Sequence, residues 1–117
     1  MTDAIRTPDE LLEDLPGFPW AAKYRTVDGL RLAHVDEGDG APVVMWHGEP
    51  TWGYLWRKVA GPLLAAGHRI VLPDLPGFGR SDKPIDPAWY TYDRHVAMAA
   101  TLLDDLDVRG ATFVVHD

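Results

Sequence analysis

Two kinds of apolar pattern alternate after residue 40. Unbroken apolar runs close in Pro42-Val43-Val44-Met45-Trp46, in His68-Arg69-Ile70-Val71-Leu72 and in Ala111-Thr112-Phe113-Val114-Val115. Runs of this length suit strands covered on both faces. Between them lie spaced stripes: Trp52, Trp56, Val59 and Leu63, then Val96, Ala99, Leu103 and Leu106, at helical intervals of three and four. The first stripe predicts a helix from about Thr51 to Gly67, kinked or restarted at Pro62. The second predicts a helix capped by Thr91 and closed by Asp107 to Gly110.

Upstream, the apolar-polar alternation is shorter. Tyr24-Arg25-Thr26-Val27 and Leu30-Arg31-Leu32-Ala33-His34-Val35 flank Asp28-Gly29, a strong signal for a two-stranded hairpin. Thr7-Pro8-Asp9-Glu10 reads as a helix start with Thr7 as cap and Pro8 in the first turn, and Leu11, Leu12 and Leu15 give that peripheral helix an apolar face before Pro16-Gly17.

A hairpin followed by strand, helix, strand, helix and strand implies an α/β fold with a mostly parallel sheet after an N-terminal antiparallel hairpin, flanked by helices. Ligands in such sheets sit beyond the C-terminal ends of the parallel strands. Three segments are expected at that edge: His47 to Pro50, the turn-rich Pro73 to Ser81, and His116-Asp117. Val43 to Trp52 is the centre of the arrangement, because a turn opening a helix presents unpaired N–H groups to an anion. A last strand at the sheet edge and helix faces only partly covered make the chain look like an incomplete core domain spanning residues 1–117.

Composition narrows the function classes. The net charge is -7 over 117 residues, which disfavours nucleic acid as a partner. Cysteine is absent, so thiolate metal ligands, disulfides and a cysteine nucleophile are excluded, and nothing conflicts with a cytoplasmic location. The N-terminus has no signal pattern and no stretch is apolar enough to span a bilayer, so no membrane association is expected.

Each candidate site residue also has a plainer reading. Asp117 could be a solvated carboxylate, and Glu49 could simply favour the positive end of a helix dipole. His47 at a tight turn reads as a structural hydrogen-bonding residue rather than a base. Asp74 is expected to tie the loop after it through backbone N–H groups. Gly77 and Gly79 lack the lysine of a phosphate-binding loop, and His116-Asp117 has no second ligand cluster to make a metal site. Trp52 and Trp56 read as core.

Three segments together resemble the haloalkane dehalogenases of the α/β-hydrolase superfamily: His47-Gly48-Glu49-Pro50-Thr51-Trp52, Pro73-Asp74-Leu75-Pro76-Gly77-Phe78-Gly79-Arg80-Ser81-Asp82-Lys83-Pro84, and Val114-Val115-His116-Asp117. They run in family order across about residues 18 to 117. The resemblance implies that Asp117 is the nucleophile, displacing halide from a haloalkane to leave an alkyl ester that water hydrolyses to an alcohol. It implies that the Glu49 backbone N–H is one donor of the oxyanion hole, the other belonging to the residue after the nucleophile. The role of the Glu49 side chain stays open, since two carboxylates would repel a halide. The partners implied are a small halogenated alkane, water and the halide product, with no cofactor and no metal.

The resemblance covers less than half of the usual family length. The catalytic histidine, its acidic partner, the helical cap and the halide-binding tryptophans have no counterparts, and none of His34, His47, His68, His95 and His116 is assignable as the base. The expectation is an N-terminal fragment of a dehalogenase, inactive or unstable by itself. The alternatives are an epoxide hydrolase using the same aspartyl ester chemistry and a non-catalytic truncated remnant. A serine esterase is disfavoured by aspartate at the nucleophile position.

Overall fold

The computed structural model describes residues 2–117. Its strands are β1 (Ala4–Ile5), β2 (Lys23–Val27), β3 (Leu30–Glu37), β4 (Pro42–Trp46), β5 (Arg69–Pro73), β6 (Lys83–Pro84) and β7 (Thr112–Val115), and its α-helices are α1 (Arg57–Ala65) and α2 (Tyr92–Asp105). Five strands form one sheet in the order β2-β3-β5-β4-β7, while β1 and β6 pair as a separate short ribbon. The β2–β3 hairpin turns at Asp28-Gly29, whose φ angles of 51° and 79° are the left-handed pair that a two-residue turn of this kind requires. β3 meets β5 antiparallel, and β4 lies parallel to both β5 and β7. This is the α/β arrangement expected from the sequence.

Alternation along the strands sorts the core onto two faces. Val43 and Met45 of β4, Ile70 and Leu72 of β5 and Val35 of β3 pack with Phe18 and with Ala60 of α1. Val44 and Val71 face the other way, against Leu102 of α2 and Leu106, which caps that helix. Leu30 and Leu32 meet Trp89 and Met98. Each large side chain so buried contributes roughly 1.5–3 kcal/mol, and one helix packs on each face of the sheet.

Both helices are rotated from the expected phase. The first begins as a 3-10 turn, Gly53–Trp56, before α1 proper. Trp52 stands before that turn in extended backbone, so the helical stripe is counted from Trp56 rather than from Trp52. At about 100° per residue from Trp56, Ala60 and Leu63 fall within about 40° of it and Val59 about 60° away; Val59 is exposed and Ala60 buried, while Trp52, Trp56 and Leu63 pack on the core. α1 also runs through Pro62 without ending; Pro62 and Lys58, whose carbonyl it leaves unpaired, are both on the exposed side. In α2 the buried face is Met98 and Leu102, continued by the capping Leu106, and Val96 is exposed. Thr91 does cap α2, its Oγ1 accepting from the Arg94 N–H at 3.1 Å.

The expected N-terminal α-helix is instead a four-residue 3-10 helix, Asp9–Leu12, with Pro8 rather than Thr7 at the cap and no side-chain cap hydrogen bond. Leu11 is exposed, so too little apolar surface is buried there to offset the cost of nucleating a longer helix. The arm is held by charge: Asp82 accepts from Arg6 Nε at 2.6 Å, from a second Arg6 nitrogen at 3.0 Å and from the Arg31 N–H at 2.9 Å. Phe113 and Val115 of β7 are exposed at one edge of the sheet. Among the described residues, no helix is long and apolar enough to cross a membrane.

Candidate active site

The parallel register sets which residues meet. Trp46 of β4 pairs with Val115 of β7, so the segments beyond them, His47-Gly48 and His116-Asp117, leave the sheet side by side. A Cβ added at Gly48 would lie 2.5 Å from both the carbonyl carbon and the carbonyl oxygen of Asp117 and 2.6 Å from the His116 carbonyl oxygen. Only glycine fits between the two backbones. The chain thus brings the turn after β4 into direct contact with Asp117, as the sequence led us to expect of two strand ends at one edge.

His47 is 3% exposed and uses both ring nitrogens. The Leu75 N–H donates to Nε2 at 2.9 Å, so Nε2 is unprotonated and the proton is on Nδ1, which donates to the Gly48 carbonyl at 2.9 Å. The Phe78 ring lies 5.1 Å from the imidazole. Burial lowers the His47 pKa, with the neighbouring His116 acting the same way, against the opposing pull of the Gly48 carbonyl and Asp74. The imidazole is neutral and structural, in agreement with the sequence reading.

Asp74, just past β5, is buried. Its Oδ1 accepts from the Gly53 N–H at 2.8 Å and its Oδ2 from the Arg80 N–H at 3.0 Å. It therefore ties its own loop, as expected, and also anchors the 3-10 turn that begins the first helix. Burial raises its pKa, and the two backbone donors, the Arg80 guanidinium 3.9 Å away and His47 work in the other direction. Ser81 completes the brace, donating to the Asp74 carbonyl at 2.7 Å and accepting from the Ala33 N–H at 2.8 Å. Asp74 to Asp82 is thus a rigid platform under the site rather than an anion-binding loop.

A cleft of about 540 Å³ opens at this edge, lined by His47, Gly48, Glu49, Leu75, Gly77, Phe78, Tyr90 and His95. Glu49 and Asp117 are both exposed. Asp117 does not itself line the cleft; it adjoins it through Gly48. A slightly larger hollow of about 590 Å³ lies beside the N-terminal arm, lined mostly by residues 9–24 together with Arg80. Tyr90 and His95 were not anticipated. The Tyr90 hydroxyl donates to the Pro84 carbonyl at 2.7 Å, and His95, in the first turns of α2, has its pKa lowered by burial and by His47. Placing the buried face of α2 on Met98 and Leu102 would have put His95 on the same side, three residues earlier. Among the described residues no cluster of three metal-ligating side chains occurs.

The chain is similar to known proteins along nearly its whole length. A haloalkane dehalogenase of Mycobacterium marinum is 48% identical over 98% of this chain, and one of Psychrobacter cryohalolentis is 47% identical over 97% of it. The chain spans only 41% and 40% of the length of these two relatives. A tetrameric haloalkane dehalogenase from Paraglaciecola agarilytica superposes on 98% of the chain with a TM-score of 0.93 and 42% identity, covering 41% of that structure. An epoxide hydrolase of Vigna radiata superposes on 84% of the chain with a TM-score of 0.78 and 32% identity, covering 32% of that structure. The sequence pattern described as alpha/beta hydrolase fold matches residues 41–117, the stretch that carries β4, β5, β7 and all three site segments, and the chain belongs to that family.

Proposed function

We propose that residues 1–117 form the nucleophile-bearing part of a hydrolase core that removes halide from small haloalkanes. The supporting observation is the close similarity to haloalkane dehalogenases along nearly the whole chain, at 48% identity, against 32% for the epoxide hydrolase, which uses less of the chain. In this reading a side-chain oxygen of Asp117 attacks the halogen-bearing carbon in line. The carbon–oxygen bond forms as the carbon–halogen bond breaks, and halide leaves with the bonding electrons. Water then adds to the ester carbonyl, the negative charge on its oxygen is met by the Glu49 N–H and a second donor, and collapse releases the alcohol and restores the carboxylate.

The base for that water is not His47, whose two ring nitrogens are both engaged. The cap and the base are assigned to the additional length that the relatives possess. The lack of cysteine suits a reducing cytoplasm, where we place the protein. The test is halide release from 1,2-dibromoethane and 1-bromobutane by the chain extended to the length of its relatives. We expect repeated turnover that Asp117→Ala abolishes, and none from residues 1–117 alone. Undiminished turnover by Asp117→Ala, or opening of styrene oxide with no halide release from either bromide, would overturn this assignment.

A further inference from the structure

We propose that His47 is a positioning residue that aims the Glu49 N–H through the Gly48–Glu49 peptide, whose carbonyl its imidazole holds. The inference rests on the oxyanion role proposed above for that N–H. The Gly48 carbonyl and the Glu49 N–H belong to the same peptide unit. Cis peptides among the described residues are confined to Glu49–Pro50, so this unit is trans. In a planar trans peptide the C=O and the N–H point in opposite directions, and fixing one fixes the other.

His47 fixes the carbonyl. Its Nδ1–H holds the Gly48 oxygen at 2.9 Å, so the Glu49 N–H is directed away from the imidazole. The ring is itself immobile: the Leu75 N–H holds Nε2 at 2.9 Å and Phe78 packs 5.1 Å away. Leu75 in turn follows Asp74, whose carboxylate holds both Gly53 and Arg80. On the other side, Gly48 lies against the Asp117 backbone, closer than any side chain would allow. The peptide that carries the donor is therefore clamped between a buried imidazole and the nucleophile's own main chain. A protonated His47 would put its Nε2–H against the Leu75 N–H, a flipped ring would offer that donor only a C–H, and burial disfavours the protonation.

The two chemical steps respond differently to losing this clamp. Halide displacement develops no charge on a carbonyl oxygen, whereas ester hydrolysis does. The extended protein is mixed with 1,2-dibromoethane, and halide and the alkylated Asp117 peptide are followed by rapid quench and mass spectrometry. His47→Leu, which removes the Gly48 donor, is expected to keep the first-turnover halide burst while slowing ester hydrolysis roughly 10–100-fold, so that alkyl-Asp117 accumulates. His47→Asn keeps a donor near Nδ1 and should recover much of that rate. A general structural role would slow both steps together, and equal loss in burst and steady state overturns the proposal.

A second readout does not depend on activity. Long-range proton–nitrogen NMR of the extended protein should show His47 as the Nδ1–H tautomer, and an Nε2–H tautomer overturns the clamp. If instead the tautomer is as expected but the wild type forms no alkyl-Asp117, the dehalogenase reading fails and the donor role falls with it, while the packing of His47 stands.

Discussion

His34 lies in β3, is 2% exposed, and its Nδ1 has no hydrogen-bond partner. Burial is the main cause that lowers its pKa from 6.5 to about 4; Arg25, Lys23 and Arg69 add to it and Asp36 opposes it. The perturbation is His34→Leu, a side chain of similar volume with no polar atom to desolvate. Because the folded value lies below the unfolded one, the unfolded chain binds the proton more readily between about pH 6.5 and pH 4. Stability from keeping His34 neutral is thus complete above pH 6.5, is lost as pH falls toward 4, and changes no further below that. From pH 6.5 to pH 5 is roughly 1.5 pH units at about 1.36 kcal/mol each, or about 2 kcal/mol. The unpartnered Nδ1 costs a further ~1–3 kcal/mol at any pH. Urea unfolding at pH 7.5 and pH 5 would measure both. We expect His34→Leu to be the more stable at pH 7.5, and its loss on going to pH 5 to be smaller than the wild type's by about 2 kcal/mol. The wild-type loss also includes His47 and His95, whose pKa values are lowered by burial, so the comparison between the two proteins isolates His34. Parallel pH profiles would refute the reasoning.

Two more substitutions probe the supports of the site. Gly48→Ala places a Cβ 2.5 Å from Asp117 main-chain atoms, neither of which is a flexible side-chain end, so the strand ends must part. We expect a loss of ~1–3 kcal/mol by denaturant unfolding, and an unchanged midpoint would show that the two backbones are not in contact. Thr91→Ala removes the acceptor for the Arg94 N–H at the start of α2 and should cost about 1 kcal/mol, with Thr91→Ser close to wild type. An equal loss in both variants would point to the methyl group rather than to the cap.

The elements were legible because their signals are local. Asp28-Gly29 sets a turn, Thr91 caps the helix that follows it, and short apolar runs such as Val43 to Met45 suit a strand buried on both faces. The phases of the helices were not legible. Val59 and Val96 have the right spacing to be core, but Trp52 is extended and stands outside the first helix, so a stripe counted from it is out of phase, and α2 turns toward the sheet on Met98 and Leu102. The N-terminal segment had the residues of a helix start and lacked a surface to bury, which spacing does not reveal.

At the candidate site, the sequence by itself determined the inventory: His47, Gly48, Glu49, Asp74 and Asp117, each beside an apolar run, with their order along the chain. It also determined that His47 and Asp74 sit at turns, where side chains bond to main-chain groups. Only the tertiary structure decided which groups they bond. That the Leu75 N–H meets His47, that the Gly53 N–H meets Asp74, and that Asp117 lies against Gly48 all follow from the parallel register of β4 with β5 and β7. Register is a long-range property, fixed when Val43, Val44, Met45, Ile70, Val71 and Leu72 find their places between two helices, and a slip of one residue would send each of them to the opposite face.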